Sequence, residues 1–315
     1  MRDRGPARIE AAAGSSWQIE DALPTLRERV RAATDVSPRR VSRLIQLALM
    51  GAAECARGHA LAPDCGLYLA SGQGALADSV DVFTQMFVDG QAPKPISFVN
   101  TLSNTSCFYV AKVLGLSGPS QFVSSSALPL ESALSLALLD LARGRVAQAL
   151  VGGVDECVLP LSDHRKRLRT RPDAPLGEGT HWMLLSAARA KLVPGHDDAD
   201  GIGTLRSVAE LPHRAAFAAW LDDAPIDASA CAVAFGAGVG DSDDERAWLE
   251  HATRGMRRVD YAPRAHYYET VTGAALCDFV TGSLAPDRST TALLHVNITP
   301  DGRFGAFIAE RARPA

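Results

Sequence analysis

The chain has 315 residues, 47% hydrophobic and 22% charged, and its 32 basic against 36 acidic side chains leave a formal net charge of −4. That balance excludes a general binder of nucleic acid or of an anionic membrane surface. The opening MRDRGPARIE lacks the apolar stretch of a signal sequence, and no apolar run approaches the roughly 18 residues of a membrane span. A cytoplasmic protein is expected, with one large α/β domain or two smaller ones and no membrane insertion.

Residues 1–37 are rich in Ala and Arg and carry no clear period. The segment 38–57 is an amphipathic helix, with Val41, Leu44, Ile45, Ala48, Leu49 and Ala52 on one face. A strand at 67–71 stops at Gly72 and Gly74, and helices follow at 76–87 and 104–114. A short strand at 121–123 and a helix at 130–142 come next. The strand 147–151 is closed by Gly152 and Gly153, and another strand spans 181–187. After a polar loop at 195–203 the alternation resumes, with strands at 204–210, 229–235, 257–260, 292–298 and 304–311. Helices at 212–221, 243–251 and 270–284 lie between them. Strands alternating with helices imply a mainly parallel sheet covered on both faces. The pattern occurs twice, which predicts two similar halves, 1–190 and 191–315, in one compact unit.

The stretch GPSQFVSSSALPLESAL (118–134) carries the most chemistry. A β-rich run enters a small-residue elbow, and Pro129 and Glu131 then suit the first turn of a helix. Such a turn often holds a nucleophile, because the unpaired N–H groups and the dipole lower a thiol pKa and stabilise an oxyanion. Here Ala127 occupies the place where a cysteine would act.

Four ordered stretches resemble the N-terminal half of β-ketoacyl synthases, which are thiolase-fold condensing enzymes. They are PISFVNTLSNT (95–105), GLSGPSQFV (115–123), LDLARGRVAQALVGGVDE (139–156) and RPDAPLGEGTHWMLLS (171–186). In the C-terminal half, ACAVAFGAGVGDSDDERAWL (230–249) and ETVTGAALCDFV (269–280) sit where the family carries its two active-site histidines. The resemblance implies a thiolase-like fold of two βαβ-type halves in α-β-α-β-α layers. A condensing enzyme needs a thiolate and two further groups that promote decarboxylation and stabilise the enolate. Matched to the family, those positions hold Ala127, Phe235 and Thr270, with His266 near the last. The glycine-rich C-terminal gate is also altered, in NITPDGRFGAF (297–307).

The resemblance is therefore to chain-length-factor-type subunits and to the ketosynthase-like partners of type II polyketide and aryl polyene systems. It implies a heterodimer with an active β-ketoacyl synthase. Ser126, Ala127, Leu128 and Phe235 would shape the acyl pocket, and Asn100, Asn104, Gln121, Phe122 and Val123 would contact the partner. The basic run HRKRLRTR (164–171) reads as a solvated loop or as a dock for an acidic acyl carrier protein through Arg165, Lys166, Arg167 and Arg169. Neither cofactor nor metal is implied.

Other readings stay open. A divergent acyltransferase or hydrolase would use a serine at 124–126 or Cys107, although no Gly-x-Ser-x-Gly elbow surrounds the serines. A homodimeric acyl-binding protein is a third reading. The motif FGAGVGD (235–241) places Asp241 where a dinucleotide loop needs its third glycine, so it reads as a plain turn. GHDDAD (195–200) reads as a solvated loop rather than a cation site. His181 and His295 lie in apolar strands as core side chains. The six cysteines are scattered without a CxxC, which suits buried thiols better than metal or disulfide.

Overall fold

A computed structural model describes residues 5–20, 22–35, 41–125, 127–168, 174–187, 201–224, 226–236, 239, 243–287 and 289–312. Its first half runs β1 (Ala7–Gln18), α1 (Arg27–Thr34), α2 (Arg43–Ala56), β2 (Gly66–Ser71), α3 (Leu76–Phe87), α4 (Pro95–Asn100), α5 (Thr105–Leu114), β3 (Ser120–Ser124), α6 (Pro129–Ala142), β4 (Gln148–Asp155), α7 (Leu161–Leu168) and β5 (Gly177–Ala187). The second runs β6 (Gly203–Leu211), α8 (Arg214–Asp222), β7 (Cys231–Phe235), α9 (Asp243–Ala252), β8 (Arg257–Val259), α10 (Ala262–Ala265), α11 (Thr272–Val280), β9 (Ala292–Ile298) and β10 (Phe304–Arg311).

The strand order is β3-β2-β4-β5-β1-β6-β10-β9-β7-β8. It is one five-strand pattern used twice, with the copies meeting at β1 and β6 through the short ladder of Ala7–Ile9 with Leu205–Gly203. Within each copy only the helical crossovers give parallel pairs, β2 with β3 and β4, and β7 with β8 and β9. The other five pairings are antiparallel, so the sheet is mixed rather than mainly parallel. The reason lies at the end of each copy. β9 turns straight back into β10 around Gly302, at φ +80°, and so pairs antiparallel.

Helices α6 and α11 each touch strands of both halves and form the central layer. Leu130, Leu134 and Leu138 of α6 share one buried cluster with Leu276 and Phe279 of α11 and with strand residues from both copies. A second cluster lies outside the first half, where Leu44, Leu47 and Val110 cover Leu67, Leu150 and Trp182. A third lies outside the second half, where Phe217, Trp248 and Phe304 pack edge-on or tilted with centroids 5.3–5.9 Å apart. Helices, sheet, central helices, sheet, helices is the layered architecture that the thiolase-like resemblance implies.

Two strands differ from the sequence expectation. β1 has no expected counterpart, because Ala, Ser and Gly give it low strand propensity. Those small residues admit close neighbours: a Cβ on Gly14 would lie 2.1 Å from the His181 ring. β4 runs through Gly152 and Gly153 to Asp155 rather than ending there. Opposite Gly152 in the ladder is Trp182, fully buried, and a Cβ on Gly152 would lie 2.2 Å from its ring. Gly152→Ala is therefore expected to lower stability by about 1–3 kcal/mol or more, read from the denaturant midpoint.

Candidate functional site

The elbow forms where the resemblance places it. After β3, the Ser125 N–H bonds the Ser71 carbonyl at 3.2 Å. The Ser125 hydroxyl donates to the Ala127 carbonyl at 2.6 Å and accepts from the Ala127 N–H at 3.2 Å, which locks the turn. Ser126 lies outside the described residues. Leu128 then takes φ 54°, ψ 39°, the left-handed region that non-glycine residues seldom adopt, and Pro129 starts α6. Such strain gathers at functional turns. The side chain of Leu128 is buried against Gly305 of β10, where a Cβ would come within 2.4 Å of it. A methyl group and an isobutyl group thus stand at the helix start, and neither has a lone pair.

The other two matched positions are reached from there. Gly305 is the ladder partner of Asn297, whose side chain lies against Gly236, next to Phe235 at the end of β7. Phe235 lines a cleft of about 230 Å³ with Tyr261, His266 and Val271, and the Arg258 guanidinium sits 3.9 Å over its ring. His266 adopts φ 57°, and burial lowers its pKa. Thr270 is fully buried, packed on Gly153, with its N–H donating to Asp155 Oδ2 at 2.7 Å. The chain therefore brings Phe235 and His266 together and turns Thr270 toward a buried carboxylate.

That carboxylate belongs to a group the sequence reading left unassigned. Asp155 accepts from Ser71 Oγ at 2.8 Å, the Gly72 N–H at 2.8 Å and the Thr270 N–H, tying β2, β4 and the start of α11 together. Beside it Glu269 accepts from Gln73 Nε2 at 2.6 Å, and burial and then the Asp155 charge raise its pKa. Burial raises the Asp155 pKa as well, against three donors that favour its charged form. Burial pushes Glu156 up to about 8 and Glu131, in the first turn of α6, up to about 7. The signal for Asp155 was present in the Gly-Gly-x-Asp stretch. Nothing in the local sequence marks the burial of Glu131 or Glu269.

These shifts fix a pH dependence. Glu131 and Glu156 have folded pKa values above their usual 4.5, so the stability tied to their protonated forms is lost as pH rises toward 8. Burial holds His181 and His295 near 3 against a usual 6.5, so their contribution is lost as pH falls below 6.5. Both histidines are core side chains bonded to tyrosines, His181 to Tyr268 at 3.0 Å and His295 to Tyr261 at 2.9 Å. The melting temperature is expected to peak on the acid side of neutrality and to drop toward pH 8.5. Glu156→Gln should shrink that drop.

The remaining predicted residues fall in three places. Cys107 is buried on α5, its thiol pushed up to about 11 by burial, and it contacts the Gln121 carbonyl, so it is not a poised nucleophile. Ser124 ends β3. β3 is the edge of the sheet and pairs only with β2 among the described strands. On it Gln121 is exposed, while Phe122 and Val123 turn inward to the outer and central clusters. Asn104 is exposed at the start of α5, but Asn100 is buried, because α4 packs on α3.

Next to this edge lies a surface the sequence reading did not single out. Phe83, Met86, Phe87, Val88, Ile96, Phe98, Val99, Leu102 and Phe108 are all exposed. Only two other large apolar side chains are exposed among the described residues, so the apolar surface is concentrated on α3, α4 and α5. A patch of this kind marks an interaction surface.

From His164 to Leu168 the basic run is helical rather than a loop. His164 is buried, Arg165 donates to the Ala174 carbonyl at 2.7 Å, and Lys166 and Arg167 are exposed on α7. Arg169 and the 195–200 stretch lie outside the described residues. Among the described residues no cluster of His, Cys, Asp or Glu suits a metal ion, and no helix is long and apolar enough to cross a membrane.

Comparison with known proteins agrees with this architecture. Residues 17–165 match the family model of the β-ketoacyl synthase N-terminal domain, whereas a search of curated proteins gives no match. Among solved structures, the ishigamide ketosynthase/chain length factor aligns with TM-score 0.73 at 17% identity, over 98% of this chain and 99% of that one. A type II polyketide acyl-carrier protein in complex with its hexaketide-bound ketosynthase aligns with TM-score 0.71 at 12% identity, over 98% and 100%. A β-ketoacyl synthase from Burkholderia phymatum aligns with TM-score 0.71 at 15% identity, over 98% and 100%. The chain thus resembles β-ketoacyl synthases, with the synthase N-terminal domain matched over residues 17–165 and a thiolase-like fold across the described residues.

Proposed function

We propose that this chain is a catalytically silent, chain-length-factor-type subunit that pairs with an active β-ketoacyl-ACP synthase in type II polyketide, polyene or fatty acid biosynthesis. The observation that carries the reading is the elbow. Its strained helix start is kept, yet Ala127 and Leu128 occupy it, and neither side chain can hold an acyl chain. Phe235 and Thr270 likewise replace imidazoles with side chains that have no base. What remains is a scaffold, and the apolar face of α3–α5 beside the free edge of β3 supplies a surface for a partner subunit. The free edge invites pairing with a second strand, which also shields it. Lys166 and Arg167 on α7 offer positive charge to an acidic acyl carrier protein.

Two of the similar structures support this reading by their composition, one a ketosynthase/chain length factor and one a ketosynthase bound to its carrier protein. The domain halves proposed at 1–190 and 191–315 would act as one body in such a complex. The direct test is acyl loading. The purified chain is incubated with acyl- and malonyl-carrier protein and its intact mass is measured. No adduct and no carbon dioxide release are expected. A stable acyl adduct on this chain would overturn the silent assignment and revive a serine at 124–126.

A further inference from the structure

The cleft beside Phe235 is built for more than filling a former active site. Its floor is the Phe235 ring, and its walls include Tyr261, Val239 and Val271. Arg246 and Arg258 supply its charge, and no carboxylate lines it among the described residues. The two guanidiniums share one acid, Glu250, at 3.2 and 3.4 Å. Asp260, whose carboxylate caps the Ala262 N–H at 2.9 Å, adds a second negative charge near Arg258. Arg258 lies 3.9 Å over the aromatic ring, a stacking that fixes the plane of the fork and leaves its edge free to donate. Burial and then Arg246 work against the Arg258 charge, which an incoming anion would relieve.

We infer that this cleft binds a small organic carboxylate, its head paired with Arg258 and Arg246 and its apolar body laid against Phe235 and Val271. The size sets the class. The cleft, about 230 Å³, admits a short-chain monocarboxylate. An apolar wall with a few convergent polar groups is the usual make-up of a small-molecule site. A planar guanidinium fork matches a carboxylate through two parallel bonds. The cleft is lined mainly by the second half of this chain, with Ala174 and Pro175 from the first, and the inference does not depend on pairing with a ketosynthase.

The test is calorimetric titration of the full chain with hexanoate, against hexanol and inorganic phosphate. Hexanoate is expected to bind one-to-one and saturably. Arg258→Gln is expected to weaken it at least tenfold, and Arg246→Gln to weaken it less. Both side chains are about half exposed, so the melting temperature should stay near that of the unaltered chain. If Arg258→Gln does not fold, Phe235→Leu replaces it, with weaker binding again expected. Absence of hexanoate binding would overturn the proposal. So would equal binding of hexanol, which would show that the charge plays no part, or equal binding of phosphate, which would show that the apolar wall plays none.

Discussion

Phe98→Asp combined with Phe108→Asp is expected to abolish assembly with the ketosynthase partner while leaving the fold intact. Both rings are already more than half exposed, at 56% and 61%, so placing a carboxylate there buries no new charge in the free subunit. In the complex the same carboxylates would be desolvated beside Phe87, Val88 and Leu102, with Lys112, 6.0 Å from the Phe108 ring, near enough to offset the second. Two well-buried aromatic anchors at about 2 kcal/mol each correspond to about a thousandfold loss of affinity. Co-purification on a tagged partner reads the effect, and unchanged circular dichroism of the double variant shows that folding is not the cause. Undiminished co-purification would move the partner surface away from α3–α5. Arg167→Glu on α7 is the matched control, because it reverses a charge outside the apolar face.

The largest single effect on stability is expected from Arg43→Met. Arg43 stands at the start of α2 and forks onto Glu178 at the start of β5. Its Nε donates to Oε2 at 2.7 Å and its Nη2 pairs with Oε1. A further N–H bonds the Pro24 carbonyl at 3.0 Å, and the Cys157 N–H donates to the same carboxylate at 3.3 Å. Glu178 is fully buried. Removing its cation leaves an uncompensated charge in the outer cluster of the first half, at a cost of about 3–5 kcal/mol. That is a large share of the roughly 5–15 kcal/mol that holds a typical domain folded. Replacing both members, Arg43→Met with Glu178→Leu, should recover most of the loss, because a buried pair contributes little net stability over apolar packing. Urea unfolding of the two variants separates the cases. If the single variant loses no more than the double, the carboxylate is reaching water.

Much of this was legible in the sequence because the informative segments obey simple periods. The 3.6-residue apolar stripe of α6 and the short apolar runs of β9 and β10 place those elements within a residue or two. The elbow was legible for a related reason, since a β-rich run, small residues and Pro129 must turn there. The left-handed backbone of Leu128 was not legible, because it follows from the gap at Gly305, a residue 177 positions away in the chain. The apolar face was hidden in a helix that was itself expected. In α3 only Val82 is buried, and Phe83, Met86 and Phe87 face out. β1 was missed because its side chains are chosen for what packs on them rather than for strand propensity. The run at 164–171 looked like a solvated loop, since the sequence does not signal that His164 and Leu168 turn inward and hold α7 to the body.

The central claim is that the chain is a partner rather than an enzyme, and one measurement tests it most directly. The chain is co-expressed with the ketosynthase encoded beside its gene, and the native mass and malonyl turnover of the purified species are measured, with and without the partner's cysteine. A one-to-one complex is predicted, active with the partner's cysteine and inactive without it, whatever stands at residue 127 of this chain. A stable homodimer that ignores the ketosynthase, or turnover that survives loss of the partner's cysteine, would contradict the account.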